Sequence, residues 1–459
     1  MTLDELCTRR VAVWGLGDEG LAMARLLHDR GVEPCFVDDR PEAAAARLTD
    51  RLGDPRPVLR PDQVPWSGID VVVRAPGVSR YRAELDAARA AGVTVTTAMA
   101  LWLEDFADAP VVAVTGTKGK STTAALTADL LRQDGSDVAL IGNIGVPVVE
   151  RYGLPPADAY VVEVSSFQAA DVATTPGVVV VTSLAPDHLD WHRSEKAYYR
   201  DKLRLVDAGP PGALAVNAGS PEALRRTAGH PRRTLFGPSG RVAVDDSGVV
   251  ALDGAALVDA SRLRLPGLHN LWNLCGAIAG ATLLSGRPPS GSALTAVVEG
   301  FEALPSRCRT VGERGGLTFV DDALASNPFA SEASLGAFPD RDLTVILGGA
   351  DRGIDPRGLV EALARRRPAP RVVVLPPDAE RLAKAVMATR SGPRWDPPVA
   401  VVADLAEAVD AAVAMTPPGG VVLFSPGAPT PDGEGGYGAR SRQFLAAAGF
   451  GDEGRDGPE

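Results

Sequence analysis

Val111-Val112-Ala113-Val114-Thr115-Gly116-Thr117-Lys118-Gly119-Lys120-Ser121-Thr122-Thr123 runs from an apolar stretch through two glycines into a polar, hydroxyl-rich segment. An apolar run that breaks at glycines and resumes as a periodic pattern predicts a buried strand, a tight turn and a helix. Backbone N–H groups of such a turn can wrap the β- and γ-phosphates of a nucleotide. Lys120 then adds a point charge, and the Ser121 hydroxyl suits Mg²⁺. The spacing falls short of G-x-x-x-x-G-K-[ST], since Val114 stands where the first glycine belongs. A plain strand-to-helix turn carrying a solvated lysine is the competing reading.

The same grammar recurs on both sides of this loop. Val11-Ala12-Val13-Trp14 leads into Gly15-Leu16-Gly17-Asp18-Glu19-Gly20 and an apolar-periodic run from Leu21 to Leu27; a second strand ends at Phe36-Val37, before Asp38-Asp39. This is the pattern of a mononucleotide-binding βαβ unit, in which an acidic residue after the second strand can meet a ribose. Val71-Val72-Val73 runs into Ala75-Pro76-Gly77, a further turn at a strand end. Past the central loop, apolar strands recur at Tyr160 to Val164, Val178 to Thr182 and Leu214 to Val216. After Pro305 they start afresh, at Leu317 to Val320, Leu343 to Leu347, Arg371 to Leu375, Val399 to Val402 and Val421 to Phe424. Strands alternating with helical stretches imply parallel, helix-covered sheets. The expected fold class is α/β in three domains, 1–97, 98–304 and 305–459, with a frayed polar tail from Gly451.

The bulk properties agree with a globular protein. The chain has 459 residues, 45% of them hydrophobic and 23% charged, enough for several cores and too apolar for bulk disorder. Its 58 acidic against 47 basic side chains give a formal charge of −11, which argues against nucleic acid or an anionic membrane as partner. Cys7, Cys35, Cys275 and Cys308 lie far apart without zinc spacing and are expected to be reduced and mostly buried. No leader pattern and no run near the ~18 apolar residues of a membrane span is visible, so a cytoplasmic location is expected.

Three further places invite chemistry. Glu163 interrupts an otherwise apolar strand, Tyr160-Val161-Val162-Glu163-Val164, and a carboxylate buried there needs compensation. A cation held by oxygen ligands would supply it, as would a local arginine or exposure at the strand end. Asp187-His188-Leu189-Asp190-Trp191-His192 gathers two of the five histidines beside two aspartates; metal, phosphate or plain solvation all remain open for it. Lys202 has the spacing of a surface helix lysine.

Taken together, these residues resemble the Mur ligases, ATP-dependent amide-bond synthetases of peptidoglycan precursor assembly. Gly142-Asn143-Ile144-Gly145, Glu163 with Ser165-Ser166, Asp187-His188-Leu189-Asp190, Lys202, His269-Asn270 with Asn273, Arg307 and Asp321-Asp322 follow the central loop in that family's order. The resemblance covers essentially the whole chain and implies a Rossmann-like UDP-binding domain, a P-loop-type ATPase domain and a Rossmann-like amino-acid-binding domain. It assigns the UDP-sugar to Gly15, Leu16, Gly17, Asp18, Glu19, Asp39, Arg40, Gly77, Asn143 and His188. ATP falls to Gly116, Thr117, Lys118, Gly119, Lys120, Ser121, Thr122, Asn270, Asn273, Arg307 and Asp322. Mg²⁺ falls to Ser121, Glu163, His188 and Lys202, the lysine as its carbamate. The catalytic group is Lys120, His188 and Lys202. The implied reaction joins glutamate to UDP-N-acetylmuramoyl-L-alanine through an acyl phosphate, with a C-terminal domain that closes over the site and a monomeric protein.

The C-terminal part departs from the usual D-glutamate-adding pattern. Where those enzymes carry Asp-Ser-Lys-Ala-Thr-Asn, this chain has Asp322-Ala323-Leu324-Ala325-Ser326-Asn327, and Arg352 stands in place of a lysine. Ser326, Arg352, Thr430 and Tyr437 are the implied glutamate contacts. A guanidinium grips a carboxylate as a fork and an ammonium as a point, so such exchanges relocate the substrate carboxylates. These features resemble a branch that adds L-glutamate, whose product a separate epimerase inverts; the alternative is neutral drift in a D-glutamate enzyme. A dehydrogenase reading of Gly15 to Gly20 leaves the second phosphate loop unexplained. Folylpolyglutamate synthetase is a related ligase that also joins glutamate, but the full-length nucleotide-binding N-terminal domain here is unlike that enzyme, and a sugar-nucleotide sensor would bind without releasing phosphate.

Overall fold

Every residue of strand β1 (Val11–Trp14) is apolar and buried, as a strand covered on both faces must be. It lies at the centre of a five-stranded parallel sheet with β2 (Cys35–Val37), β3 (Val58–Leu59), β4 (Val71–Arg74) and β5 (Thr94–Thr96), in the order β3-β2-β1-β4-β5. The chain changes its direction of travel across the sheet between β1 and β4. Open α/β sheets bind ligands at such a switch, off the carboxyl ends of the strands. The structure is a computed structural model and describes residues 1–210, 212–350, 353–377, 379–388, 398–431 and 433–451.

A second sheet contains β6 (Val111–Thr115), β7 (Val138–Gly142), β8 (Ala159–Glu163), β9 (Val178–Val181), β10 (Ala213–Asn217), β11 (Arg233–Phe236), β12 (Val242–Val244), β13 (Val249–Leu252) and β14 (Ala255–Asp259). Their order is β14-β13-β12-β11-β10-β9-β6-β8-β7, parallel from β7 to β12, with β13 antiparallel to β12. The third sheet orders β15 (Arg309–Arg314), β16 (Leu317–Asp321), β17 (Leu343–Leu347), β18 (Arg371–Val374), β19 (Val399–Val401) and β20 (Val421–Phe424) as β15-β16-β20-β17-β18-β19. Only β15 runs antiparallel to its neighbour among the pairings of this sheet.

Sequence and structure therefore agree on α/β architecture with parallel sheets, and differ at the edges. Strands β12 to β15 are short or half-exposed, where the core strands are buried along their whole length. The β12–β13 and β15–β16 pairs are the antiparallel margins that an all-parallel expectation omits.

The first two sheets belong to one compact unit, Met1–Val258 with Trp272–Val297; the third belongs to another, Asp259–Leu271 with Val298–Glu459. In the first unit a continuous apolar cluster joins Val11, Val13 and Leu27 of the N-terminal layer to Trp102, Ala113, Val162 and Val181 of the central layer. In the second, helices Arg357–Arg365 and Ala379–Ala388 cover one face of the sheet and helices Leu405–Met415 and Gly436–Ala448 the other. All four cysteines are free; Cys275 and Cys308 are buried, whereas Cys7 and Cys35 are only half-buried. Among the described residues no helix is long and apolar enough to cross a membrane.

Candidate active site

Strand β6 is buried throughout and ends at Gly116, whose φ of +144° and close neighbours leave no room for a side chain: a Cβ would lie 2.1 Å from Thr182 Oγ1. Gly119, at φ +87°, caps helix Lys120–Gln133, and a Cβ there would meet Asn273 Oδ1 at 2.4 Å. Both glycines are sterically required. The loop between them is stitched to the segment after β9. Thr117 N donates to Ser183 O at 2.7 Å and Thr117 Oγ1 to Ala185 O at 2.9 Å, while Lys118 N donates to Ser183 Oγ at 2.9 Å. Lys120 Nζ folds back onto Thr117 O at 3.1 Å. The result is a hydrogen-bonded turn at a helix N-terminus, and Asn273 stands at its side.

Lys202 is no surface lysine. It is 2% exposed, its Nζ donates to Gly116 O at 2.8 Å, and it sits over the Tyr198 ring at 5.1 Å. Burial, followed by the neighbouring Lys120 charge, drives its pKa well below the ordinary lysine range. A lowered pKa favours the uncharged amine, the nucleophilic form of a lysine.

Glu163, at the end of β8, is 1% exposed. Its Oε1 accepts from Asn143 Nδ2 at 2.9 Å, while Oε2 is buried with no hydrogen-bond partner. An orphaned carboxylate oxygen is costly unless something positive completes it. Neither an arginine nor solvent does so here. The donor set fits a hard cation such as Mg²⁺, which needs only one or two protein carboxylates beside phosphate oxygens and water. Among the described residues no three His, Cys, Asp or Glu side chains assemble a ready-made cage.

His188 has left-handed backbone, φ 51°, and its ring packs edge-on to Phe167 at 4.7 Å. Burial, with help from Lys202, Lys118 and Lys120 and against Asp187, pushes it down to about 4, so its imidazole is neutral at physiological pH. Burial works to raise Asp187, but Lys118, His188 and Lys120 outweigh it and hold the carboxyl below its usual range. Lys118 Nζ lies 3.7 Å from Asp187 Oδ2. His192 differs from His188: it is fully buried, with both ring nitrogens hydrogen-bonded, and has no open position for a ligand.

The N-terminal loop shows which of its residues shape the turn. Gly15 has φ +93° and abuts Ala75, and a Cβ on Gly20 would fall 1.8 Å from Gly15 O. Leu16 buries its side chain and donates its N–H to Asp38 Oδ2 at 2.9 Å; Arg40 N donates to Asp38 Oδ1 at 3.0 Å. Asp38, absent from the expected set, thus sets the shape of the rim. Its signal in the sequence was confounded by the adjacent Asp39, which is half-exposed and pairs with Arg82 at 2.6 Å. Gly17 and Gly77 face open space. Asp18 and Glu19 occupy the first helical turn, where Glu19 Oε2 accepts from Gln168 Nε2 at 2.8 Å.

In the second unit Asp322 is buried and its oxygens accept from Cys308 N at 3.0 Å, Ser334 Oγ at 2.6 Å and Ser425 Oγ at 2.7 Å. Burial raises its carboxyl to about 6. The bond to Cys308 pins a turn in which Ser306 and Cys308, at φ 59° and 49°, flank the half-buried Arg307. Asn270 Nδ2 donates to Pro266 O at 2.7 Å. Ser326 lines a pocket with Gly348, Gly349, Ala350 and Pro426 to Pro429, at the carboxyl ends of β16, β17 and β20. Thr430 follows that wall directly, Tyr437 is largely exposed at the start of its helix, and Arg352 lies outside the described residues.

Comparison with known proteins matches residues 9–97 to the Mur ligase MurD-like N-terminal domain, 114–281 to the Mur ligase middle domain and 306–427 to the Mur ligase glutamate ligase domain. A UDP-N-acetylmuramoyl-L-alanine--L-glutamate ligase of a Micromonospora species is 39% identical over 438 residues, covering 94% of each chain. The chain belongs to the Mur ligase family. Mur ligases are ATP-dependent amide-bond-forming enzymes, and this chain is one of them. Proteins of the same printed name from Salinispora tropica and Xanthomonas euvesicatoria are 38% and 35% identical, over 94% and 98% of this chain and 95% and 97% of theirs. Among solved structures, the UDP-N-acetylmuramate-alanine ligase MurC of Thermotoga maritima superposes with a TM-score of 0.61 at 18% identity, covering 96% of this chain and 99% of that one. MurF ligase from the same organism, in complex with ADP, gives 0.58 at 17% identity, covering 97% and 98%. These two establish the fold.

Proposed function

We propose that this Mur ligase adds L-glutamate to UDP-N-acetylmuramoyl-L-alanine, releasing ADP and phosphate. The observation that carries this reading is the 39% identity, along almost the full length of both chains, to a protein named for that reaction. The absence of an ammonium at Leu324 and of a hydroxyl at Ala323 supports a differently placed amino-acid substrate.

The chemistry assigned to the site begins with the alanyl carboxylate of the UDP-sugar. It attacks the γ-phosphorus of ATP, the bond to the β-γ bridging oxygen breaks, and ADP departs. Lys120 and the backbone N–H groups of Gly116 to Thr122 offset charge spread over the phosphoryl oxygens. The glutamate amine then attacks the carbonyl of the acyl phosphate, loses a proton, and phosphate leaves. Glu163 and Ser121 would hold one Mg²⁺, with His188 and carbamylated Lys202 serving a second. Bound there, the metal would supply positive charge that reduces repulsion between the reacting anions. Gly15 to Glu19, Asp39, Arg40, Gly77 and Asn143 are assigned to the UDP-sugar, and Ser326, Thr430, Tyr437 and Arg352 to glutamate. Asn270, Asn273, Arg307 and Asp322 are assigned to the nucleotide. We retain 1–97, 98–304 and 305–459 as the proposed domain division and place the reaction in the cytoplasm, with an epimerase downstream.

The test supplies UDP-N-acetylmuramoyl-L-alanine, ATP and MgCl₂ with each glutamate enantiomer separately and measures phosphate release and product chirality. L-Glutamate is expected to support turnover at least tenfold faster than D-glutamate, roughly 1.4 kcal/mol of discrimination. Incorporation of the D form alone would overturn the stereochemical assignment.

A further inference from the structure

His192 is the histidine of the histidine-aspartate segment that the proposed chemistry leaves without a task. Its ring is wholly buried, between Trp191 at 4.4 Å and Tyr198 at 5.2 Å. Nδ1 lies 2.8 Å from Asp201 Oδ2 and Nε2 lies 3.0 Å from Ser166 Oγ. Since the carboxylate can only accept, Nδ1 carries the proton, and the neutral ring accepts from the Ser166 hydroxyl through Nε2. Asp201 is in turn fixed by Tyr81, whose hydroxyl donates at 2.6 Å. Ser166 is 2% exposed and Asp201 1%, so this serine, histidine and aspartate do not form a nucleophile that a substrate could reach.

What the three residues share is their neighbours in the chain. Ser166 begins the short helix just beyond Glu163, His192 ends the segment that carries His188, and Asp201 immediately precedes Lys202. Successive residues of a helix point about 100° apart, so a pin on Asp201 sets the azimuth at which Lys202 is presented. For a side chain reaching about 6 Å from the axis, a 20° roll would carry its tip about 2 Å. An error of about 1 Å in a reacting group can cost about a hundredfold in rate.

We propose that His192 is a positioning residue for the ligase reaction, holding through Asp201 the helical setting that keeps Lys202 against Gly116, and through Ser166 the turn that follows Glu163. The inference rests on the reading of Lys202 as a working group of the site.

Two conservative variants separate positioning from mere packing. His192→Asn keeps a donor near the Nδ1 position and so retains Asp201; His192→Gln keeps an acceptor near Nε2 and retains only Ser166. The expected result is a kcat for phosphate release about tenfold or more lower in His192→Gln than in His192→Asn, with the KM for ATP little changed and similar melting temperatures for both variants. In a Lys202→Ala background, adding His192→Gln should cost nothing further, because the group being positioned is already gone. Equal kcat in the two variants, a reversed order, or undiminished extra loss in the Lys202→Ala background would overturn the proposal. Normal turnover by Lys202→Ala would remove the reading of Lys202 and this inference with it. Protein equilibrated with ¹³C-labelled bicarbonate gives a separate readout by NMR, with a weaker carbamate resonance expected in His192→Gln. If the wild-type protein shows no such resonance, carbamylation is refuted, and the kcat order still decides the role of His192.

Discussion

Three lysines within one turn of the phosphate loop would repel one another in water, and the protein resolves this by unequal burial. Burial holds Lys202 well below the ordinary lysine range, Lys118 faces Asp187, and Lys120 folds onto a carbonyl. The same crowding acts on His188, whose pKa of about 4 lies below the 6.5 of an unperturbed histidine. Between those values the unfolded chain binds a proton that the folded chain does not, so stability falls as pH drops from 6.5 towards 4. The size of the effect is on the order of 2 kcal/mol. Urea unfolding of the ligand-free protein at pH 7 and pH 5 should show this loss, and His188→Asn should flatten it. An unchanged slope in the variant would mean that other groups carry the acid sensitivity. Spacing alone showed none of this, and only the family resemblance singled out Lys202: it has helix spacing, and its burial depends on Gly116, 86 residues earlier in the chain.

Strand β6 and helix Lys120–Gln133 were legible because their apolar pattern is local and uninterrupted, and because glycine at the junction has no substitute. Gly119→Ala would place a methyl against Asn273 in left-handed backbone, and should cost about 1–3 kcal/mol of stability in denaturant titration while raising the KM for ATP. If ATP affinity and stability both survive, the tight approach of Asn273 is not needed. The clamps on this loop were not legible. Thr182 and Ser183 read as the ordinary end of a strand, and only the parallel pairing of β9 with β6 brings their hydroxyls to Lys118. The margin strands β12 to β14 escaped for the opposite reason: half-exposed residues carry too weak a pattern to announce a hairpin.

The N-terminal and central sheets of the first unit are held together by more than their shared apolar core. Arg74, at the end of β4, is completely buried; its Nε donates to Asp171 at 2.6 Å and Nη2 to Phe167 O at 2.8 Å. A buried guanidinium of this kind is costly to desolvate, and its removal leaves Asp171 with the more distant Arg80, at 3.4 Å. Arg74→Met should therefore destabilise the protein by about 3–5 kcal/mol, measurable as a lowered denaturant midpoint. A double replacement of both partners by apolar residues should recover much of that loss. Sequence reading located the strand that Arg74 ends but not this partnership, since nothing local marks an arginine at a strand end as bound for a carboxylate 97 residues away. The withdrawal of Lys202 from water has a practical consequence for anyone handling the protein. With Lys202 working as the proposed carbamate, a group that forms and decays with dissolved gas, a sample stored in acidic, degassed buffer would start slowly and quicken after bicarbonate is restored, and its recent atmosphere would belong among the assay conditions.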